Sequence, residues 1–312
     1  MNKQIFVSLR ILFIIVLLVI ISSFLSDKFL TFNNVSNIMR QISVNGILAC
    51  GMTFVMLTGG FDLSVGATIT LTGGFALTLQ PYIGVGGAIL ITIMIGALAG
   101  LLNGVILAKI RADSGDAFMI TLGTQFVIFG VSLLTFNARF IPGSREPFYV
   151  NLGTGAIFKI IPVPMLIFLL VALISLLILS YTSFGRKIYV TGGNYDAARL
   201  SGISVKFYNM IVYVIVGITA AIASIVLTSR AMCCSSDMGR GYELDAIAAV
   251  IVGGTSTRGG DGSISRTIAG VIIIGILSNI LNLIGMNSFN QMIVKGIVII
   301  GAVWLDNKRR MI

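Results

Sequence analysis

Residues 161–180 read IPVPMLIFLLVALISLLILS, twenty positions without one charged side chain. Coiled as a helix they would extend ~30 Å, the thickness of the hydrocarbon core of a bilayer. Comparable apolar windows recur near 11–25, 41–58, 63–80, 85–107, 117–137, 208–229, 243–257, 266–285 and 288–305. The pattern predicts about ten transmembrane helices in one all-α, polytopic membrane helical bundle spanning residues 1–312, with membrane lipid as its main solvent. Composition agrees: 56% of the 312 residues are hydrophobic and 10% are Asp, Glu, Lys or Arg, where a soluble globular chain carries about 25% charged residues. The 36 glycines against 5 prolines suit helices packed closely at small-residue faces, with few fixed kinks.

The first window follows Lys3 and Arg10, the basic flank of a signal peptide, but the bulky and charged stretch 24–32 offers no small-residue cleavage site, so it reads as a retained helix. Residues 29–40, with Asn33, Asn34 and Asn37, read as a short interfacial segment. The window 243–257 is short and runs into Gly253-Gly254, as a helix interrupted inside the bundle would. Gly-rich turns at 59–66 and 253–262 fall in the two halves of the chain and leave an inverted structural repeat open.

With the amino terminus in the cytoplasm, ten spans place thirteen Lys and Arg on that side, among them Lys109, Arg111, Arg186, Lys187, Arg199, Arg309 and Arg310. Seven lie opposite, and Lys295 falls inside the last span. A cytoplasmic excess of this kind is an orientation signal. It accounts for the net charge of +10 better than a nucleic-acid partner does, since the basic residues are dispersed among the breaks between windows.

Several chemistries are excluded. Without histidine there is no His-type zinc site and no Ser-His-Asp triad. Cys50, Cys233 and Cys234 form neither a metal-ligand spacing nor a disulfide framework, so no cofactor or metal is expected. Gly254-Thr255-Ser256-Thr257-Arg258-Gly259 spaces its glycines like a phosphate-binding loop, but Gly260-Asp261 stands where Lys and Ser/Thr would be needed. Gly253 and Gly254 therefore read as structural, and any nucleotide hydrolysis belongs to a partner.

Polar residues inside apolar windows carry more information, because hydrocarbon drives them toward the bundle interior. Ser278 and Asn282 share one helical face, and Gln291 and Lys295 another. With Asn45, Thr121 and Asn137 they are candidates to line a path for a hydroxylated solute, the alternative being hydrogen bonds between helices. Lys295 can instead pair with Asp245 or Glu243. The polar stretch 183–207 holds Arg186 and Lys187, then Gly192-Gly193-Asn194, then Ala197-Ala198-Arg199-Leu200-Ser201-Gly202-Ile203. It predicts a short helix over 196–201 flanked by glycines, either a docking surface or an ordinary basic loop.

Five separated motifs bring a resemblance into view. Gly241-Tyr242-Glu243-Leu244-Asp245-Ala246-Ile247-Ala248-Ala249-Val250, continuing to Val252-Gly253-Gly254-Thr255-Ser256, is similar to the ribose-type sugar permeases of ATP-binding-cassette importers. So, in the same order, are Gly60-Phe61-Asp62-Leu63-Ser64-Val65-Gly66, Thr121-Leu122-Gly123, the 192–203 stretch, and Asn290-Gln291-Met292-Ile293-Val294-Lys295 with the tail Asp306-Asn307-Lys308.

The resemblance implies half of a transmembrane homodimer in the inner membrane, taking sugar from a periplasmic sugar-binding protein and driven by a cytoplasmic ATP-binding subunit. It implies that 192–203 is the coupling element within the 183–207 loop, with Arg186 at its upstream edge, and that Asp62, Gly66, Glu243 and Asp245 are structural. Ribose is the first expectation, with other pentoses, hexoses and sugar-like signalling molecules as alternatives. An ion-coupled transporter would carry acidic residues in mid-span, whereas the eleven Asp and Glu fall at or near predicted span ends. A channel would show a filter motif, and none is visible.

Overall fold

The computed structural model describes residues 3–110 and 114–308; Arg111, Arg309 and Arg310, counted above, lie outside them. Thirteen helices appear among the described residues. They are α1 (Lys3–Leu25), α2 (Phe32–Leu57), α3 (Val65–Thr78), α4 (Gln80–Ile110), α5 (Ser114–Phe136), α6 (Pro147–Thr154), α7 (Val163–Tyr181), α8 (Ser183–Gly193), α9 (Tyr195–Leu200), α10 (Val205–Ala231), α11 (Tyr242–Val252), α12 (Ile264–Leu283) and α13 (Ser288–Lys308). Two antiparallel ribbons of two-residue strands join Ile141–Pro142 to Cys233–Cys234, and Ala156–Ile157 to Ile161–Pro162.

The number of crossing helices corrects the sequence expectation. Among the described residues six helices, α2, α4, α5, α7, α10 and α12, are long and apolar enough to cross a membrane, not ten. The windows 63–80 and 243–257 fold as α3, with 14 residues, and α11, with 11. These extend ~21 Å and ~17 Å, short of the ~30 Å a crossing requires. Both are apolar because protein buries them, and hydropathy does not distinguish protein from lipid as the apolar environment. The windows 11–25 and 288–305 fall in α1, with 23 residues, and α13, with 21; the apolar stretches described within them are Leu12–Leu25 and Phe289–Gly301. The division of basic residues into thirteen and seven assumed ten crossings and falls with them. Residues 32–40 belong to α2 rather than to a separate interfacial segment.

α2 is the central post, 83% of its apolar window being buried against 22% for α4. Val44, Ile47, Leu48, Met52, Phe54, Val55, Met56 and Leu57 are fully buried, packed by α7, α10, α11 and α12. Its buried polar groups find partners across helix boundaries. Asn34 and Asn279 exchange amide hydrogen bonds at 2.8 and 3.0 Å, and the Thr53 and Thr267 hydroxyls meet at 2.7 Å. Outward faces of α4, α5 and α7 show Leu90, Leu98, Val127, Leu134, Leu170 and Leu173, the apolar surface lipid requires.

The tightest helix pair is α4 with α10. Gly96, Gly100 and Gly104 recur at four-residue spacing on α4, and a Cβ at each would collide with α10, at the carbonyls of Gly217, Tyr213 and Met210 respectively. Small residues at this spacing let two backbones approach closely. The two short helices, by contrast, meet at their amino-terminal ends, where Gly66 of α3 lies against Gly239 and Glu243.

Candidate functional site

Two regions gather polar residues. One lies where α3, α5 and the start of α11 converge around a cavity of about 320 Å³, lined by Gly66, Ala67, Thr70, Gln125, Phe126, Phe129, Arg240 and Glu243. Glu243 is only 6% exposed. Its carboxylate accepts from the Gly241 N–H at 3.0 and 3.1 Å and from Gln125 Nε2 at 3.5 Å. Gly241 can turn the chain into α11 because it holds φ 91°, a left-handed value that a side chain would strain.

Behind this cavity the turn 58–64 is fastened residue by residue. Asp62, 1% exposed, accepts from Ser64 N at 2.8 Å and Ser64 Oγ at 2.7 Å. Asn103 Nδ2 donates to Ser64 Oγ at 2.8 Å. The Thr121 hydroxyl accepts from Leu63 N at 3.2 Å and donates to the Ala117 carbonyl at 2.7 Å, while Tyr213 donates to the Phe61 carbonyl at 3.1 Å. The Asp62–Ser64 bonds form a local Asx-type turn, which delivers the chain into α3.

The second region lies at one end of the bundle, where α8 and α9 meet the carboxyl end of α2 and the Gly-rich segment 253–262. Gly260 N–H donates to the Leu57 carbonyl at 2.9 Å, and Tyr189 Oη donates to the Gly262 carbonyl at 2.9 Å. Burial raises the Tyr189 phenol above its ordinary pKa, with the Arg266 guanidinium opposing. Arg266 holds Asp261 at 2.6 Å and the Gly254 carbonyl at 3.2 Å. A second cavity, also about 320 Å³, lies here among Gly59, Ser114, Gly192, Asn194, Asn209 and Arg258.

The predicted short helix is present as α9. Asn194 caps it by accepting from the Ala197 N–H at 2.9 Å, and Gly202, at φ 78°, ends it. Ala198 is buried, whereas Ala197, Arg199, Leu200 and Ser201 are exposed, Leu200 at 88%. Arg186 is exposed beside Lys187, whose ammonium lies 5.6 Å from the Tyr208 ring centre. The stretch 183–207 thus holds two capped helices, α8 and α9, and enters α10 at Val205.

The other predicted polar residues do not converge on one path. Gln291 donates to Asn282 at 2.8 Å, and Lys295 pairs with Asp245 at 2.7 Å rather than with Glu243. Ser278 is buried in α12. Asn137 is exposed beyond the end of α5 at φ 53°. Asn45 is buried in α2, and its Oδ1 has no hydrogen-bond partner. Gln125 was missed although it lies one turn beyond Thr121; Arg240 lies outside any periodic pattern and left no signal. Among the described residues no three His, Cys, Asp or Glu cluster as a metal site.

A multi-pass helical bundle with a cavity carrying a few polar groups and an exposed capped helix at one end has the architecture of a membrane permease. The chain belongs to the family described as "Branched-chain amino acid transport system / permease component", whose model matches residues 34–303. It is a transport component and not an enzyme. Ribose import permease protein RbsC of Bacillus subtilis (strain 168) is 42% identical over 298 residues, covering 94% of this chain and 90% of that protein. D-allose transport system permease protein AlsC of Escherichia coli (strain K12) is 36% identical, covering 94% and 90%. L-arabinose transport system permease protein AraH of the same strain is 34% identical, covering 91% and 85%. No solved structure matches the chain.

Proposed function

We propose that this chain is the membrane permease subunit of an ATP-binding-cassette importer for a monosaccharide, ribose first, with other pentoses and hexoses next. The observation that carries the reading is the similarity over more than 90% of the chain to permeases named for ribose, D-allose and L-arabinose. The family's description names branched-chain amino acids, so the family is broader than this solute class. The buried amide, hydroxyl and carboxylate groups around the first cavity support a polyhydroxylated cargo.

In this reading two copies form the translocating dimer in the inner membrane, with a periplasmic sugar-binding protein at one end. The cytoplasmic ATP-binding subunit docks at the other, on the 183–207 element. Ala197, Arg199, Leu200 and Ser201 present the contact surface, with Arg186 beside it, while Ala198 packs inward and Gly192, Gly193, Asn194 and Gly202 shape the turns. ATP-driven closure of the partner would move α8 and α9 as a rigid lever, and the bundle would alternate its access by rigid-body motion. Lys295, Asn282 and Gln291 bond within the protein and are read here as fastening α13.

The experiment is uptake of labelled D-ribose into proteoliposomes. Uptake should require ATP, the ATP-binding subunit and the binding protein together. Concentrative uptake by the purified chain under an ion gradient alone would overturn the assignment.

A further inference from the structure

Resting on the sugar-import reading above, we propose that the cavity between α3, α5 and α11 is a monosaccharide-binding station inside the permease itself, with Gln125, Glu243, Arg240 and Thr70 as its polar face and Phe126 and Phe129 as its stacking face. Nothing in the relatives' names assigns a solute site within the chain. The cavity, about 320 Å³, is at the small end of the range for ligand pockets, roughly 300 to 1,000 Å³. That suits a single sugar ring.

Its lining is divided as sugar recognition requires. A pyranose presents vicinal hydroxyls at its rim and C–H bonds on its faces. Gln125 and Glu243 place a planar amide beside a planar carboxylate, 3.5 Å apart, a pair able to span two neighbouring hydroxyls. Although Glu243 accepts from the Gly241 N–H, an ionised carboxylate has about four lone-pair sites, so acceptor capacity remains. The Arg240 guanidinium is exposed and makes no hydrogen bond or ion pair among the described residues. Phe126, 69% exposed, and Phe129 supply aromatic faces for the apolar side of the ring.

The charge balance selects a neutral solute. One carboxylate and one guanidinium cancel, so the pocket favours neither an anion nor a cation. Glu243 is buried and accepts from Gly241 and Gln125, and a solute hydroxyl can take a remaining lone pair.

Position adds a second argument. The cavity sits where the amino-terminal ends of two short helices meet, at Gly66 against Gly239 and Glu243. A shift of α3 or α11 therefore reshapes it directly, and a station that opens with the motion of the bundle does not trap its cargo.

The test uses the permease assembled with its ATP-binding subunit in liposomes. Ala67→Cys, at a cavity-lining position with no assigned solute contact, is introduced together with Cys233→Ser, Cys50 and Cys234 being buried, and its modification by N-ethylmaleimide is timed. Excess D-ribose, D-allose or L-arabinose should slow modification several-fold, and L-leucine should not. Ile160→Cys, exposed in the turn between Ile157 and Ile161, should be unaffected by any of them. If Ala67→Cys does not assemble or does not react, Phe126→Cys, which leaves Phe129 and the polar face in place, is read in the same way. Failure of all three sugars to protect, or protection by leucine instead, overturns the station. Sugar uptake by the unsubstituted assembly, supplied with ATP and the periplasmic sugar-binding protein, is measured in parallel, so an uptake-competent transporter without protection defeats this proposal alone. An assembly that takes up no sugar defeats the preceding reading.

Discussion

The α4–α10 seam and the junction of Leu57, Gly192 and Gly260 both bring backbone against backbone through glycine, yet they are built differently. In the seam, Gly96, Gly100 and Gly104 lie within one continuous stretch of helix and open a groove for α10. Its contacts are van der Waals packing along rigid rods. In the junction the glycines sit at a helix end and in a turn, Gly259 and Gly260 hold φ of 88° and 74°, and the link is a single hydrogen bond of 2.9 Å from Gly260 to Leu57. A packed seam has one good arrangement, whereas turns joined by replaceable hydrogen bonds have several. The first is a frame and the second a joint.

The largest expected effect falls on the frame. Gly100→Leu would drive a side chain into the Tyr213 carbonyl and the backbone of Val214, obstacles that cannot rotate away. Overpacking costs about 1–3 kcal/mol where side chains yield, and more where backbone must move. The variant should lose monodisperse protein in detergent and unfold at a clearly lower temperature. An unchanged unfolding midpoint would show that the seam is not the rigid part.

The joint should fail in a different way. Gly192→Val places its Cβ on the Leu57 carbonyl oxygen, but both residues lie at the ends of their helices, beside the turns at 58–64 and 253–262, which can shift to admit it. The chain should fold and retain its ATP-binding partner, while ATP-driven sugar uptake falls about tenfold, equivalent to ~1.4 kcal/mol. Uptake and partner retention both at wild-type levels would remove the distinction between frame and joint.

Much of this frame was legible in the sequence for a simple physical reason. A charge-free run such as 161–180 has one stable environment, and α7 occupies it. The ends of elements were less legible. The apolar run 243–257 has the composition of a crossing, and only its neighbours reveal that α11 stops after 11 residues inside protein. The glycine spacing at 96, 100 and 104 was present in the letters, but its partner on α10 lies more than a hundred residues away. At the candidate site, Thr121 carried a signal because a polar group in an apolar context must find a partner, whereas Asp62 and Glu243 stood out through the motifs that resemble sugar permeases. Thr70 did not, since a threonine in an apolar helix can satisfy itself on the preceding turn, and Arg240 did not, because a basic residue between helices is unremarkable until the fold turns it toward a cavity.

The smallest expected effects separate the parts of the joint itself. Arg266 reaches three acceptors: Ser263 Oγ at 3.3 Å, the Gly254 carbonyl at 3.2 Å and Asp261 at 2.6 Å. The Asp261 bond is the shortest, yet its side chain is 71% exposed, against 20% for Arg266. Exposed ion pairs contribute about 0–1 kcal/mol and are screened by salt. Asp261→Asn should therefore change stability by less than about 1 kcal/mol, and the difference should vanish at high ionic strength. Arg266→Ala also leaves the Gly254 carbonyl without its donor, where Gly254 itself turns at φ 92°. Its cost should be about 1–2 kcal/mol and should persist in salt. Thermal unfolding of both variants at low and high salt decides between them. If Asp261→Asn proves the more damaging, and salt rescues Arg266→Ala, the turn is held by its surface charge rather than by the bond to its backbone, and the joint is looser than its geometry indicates.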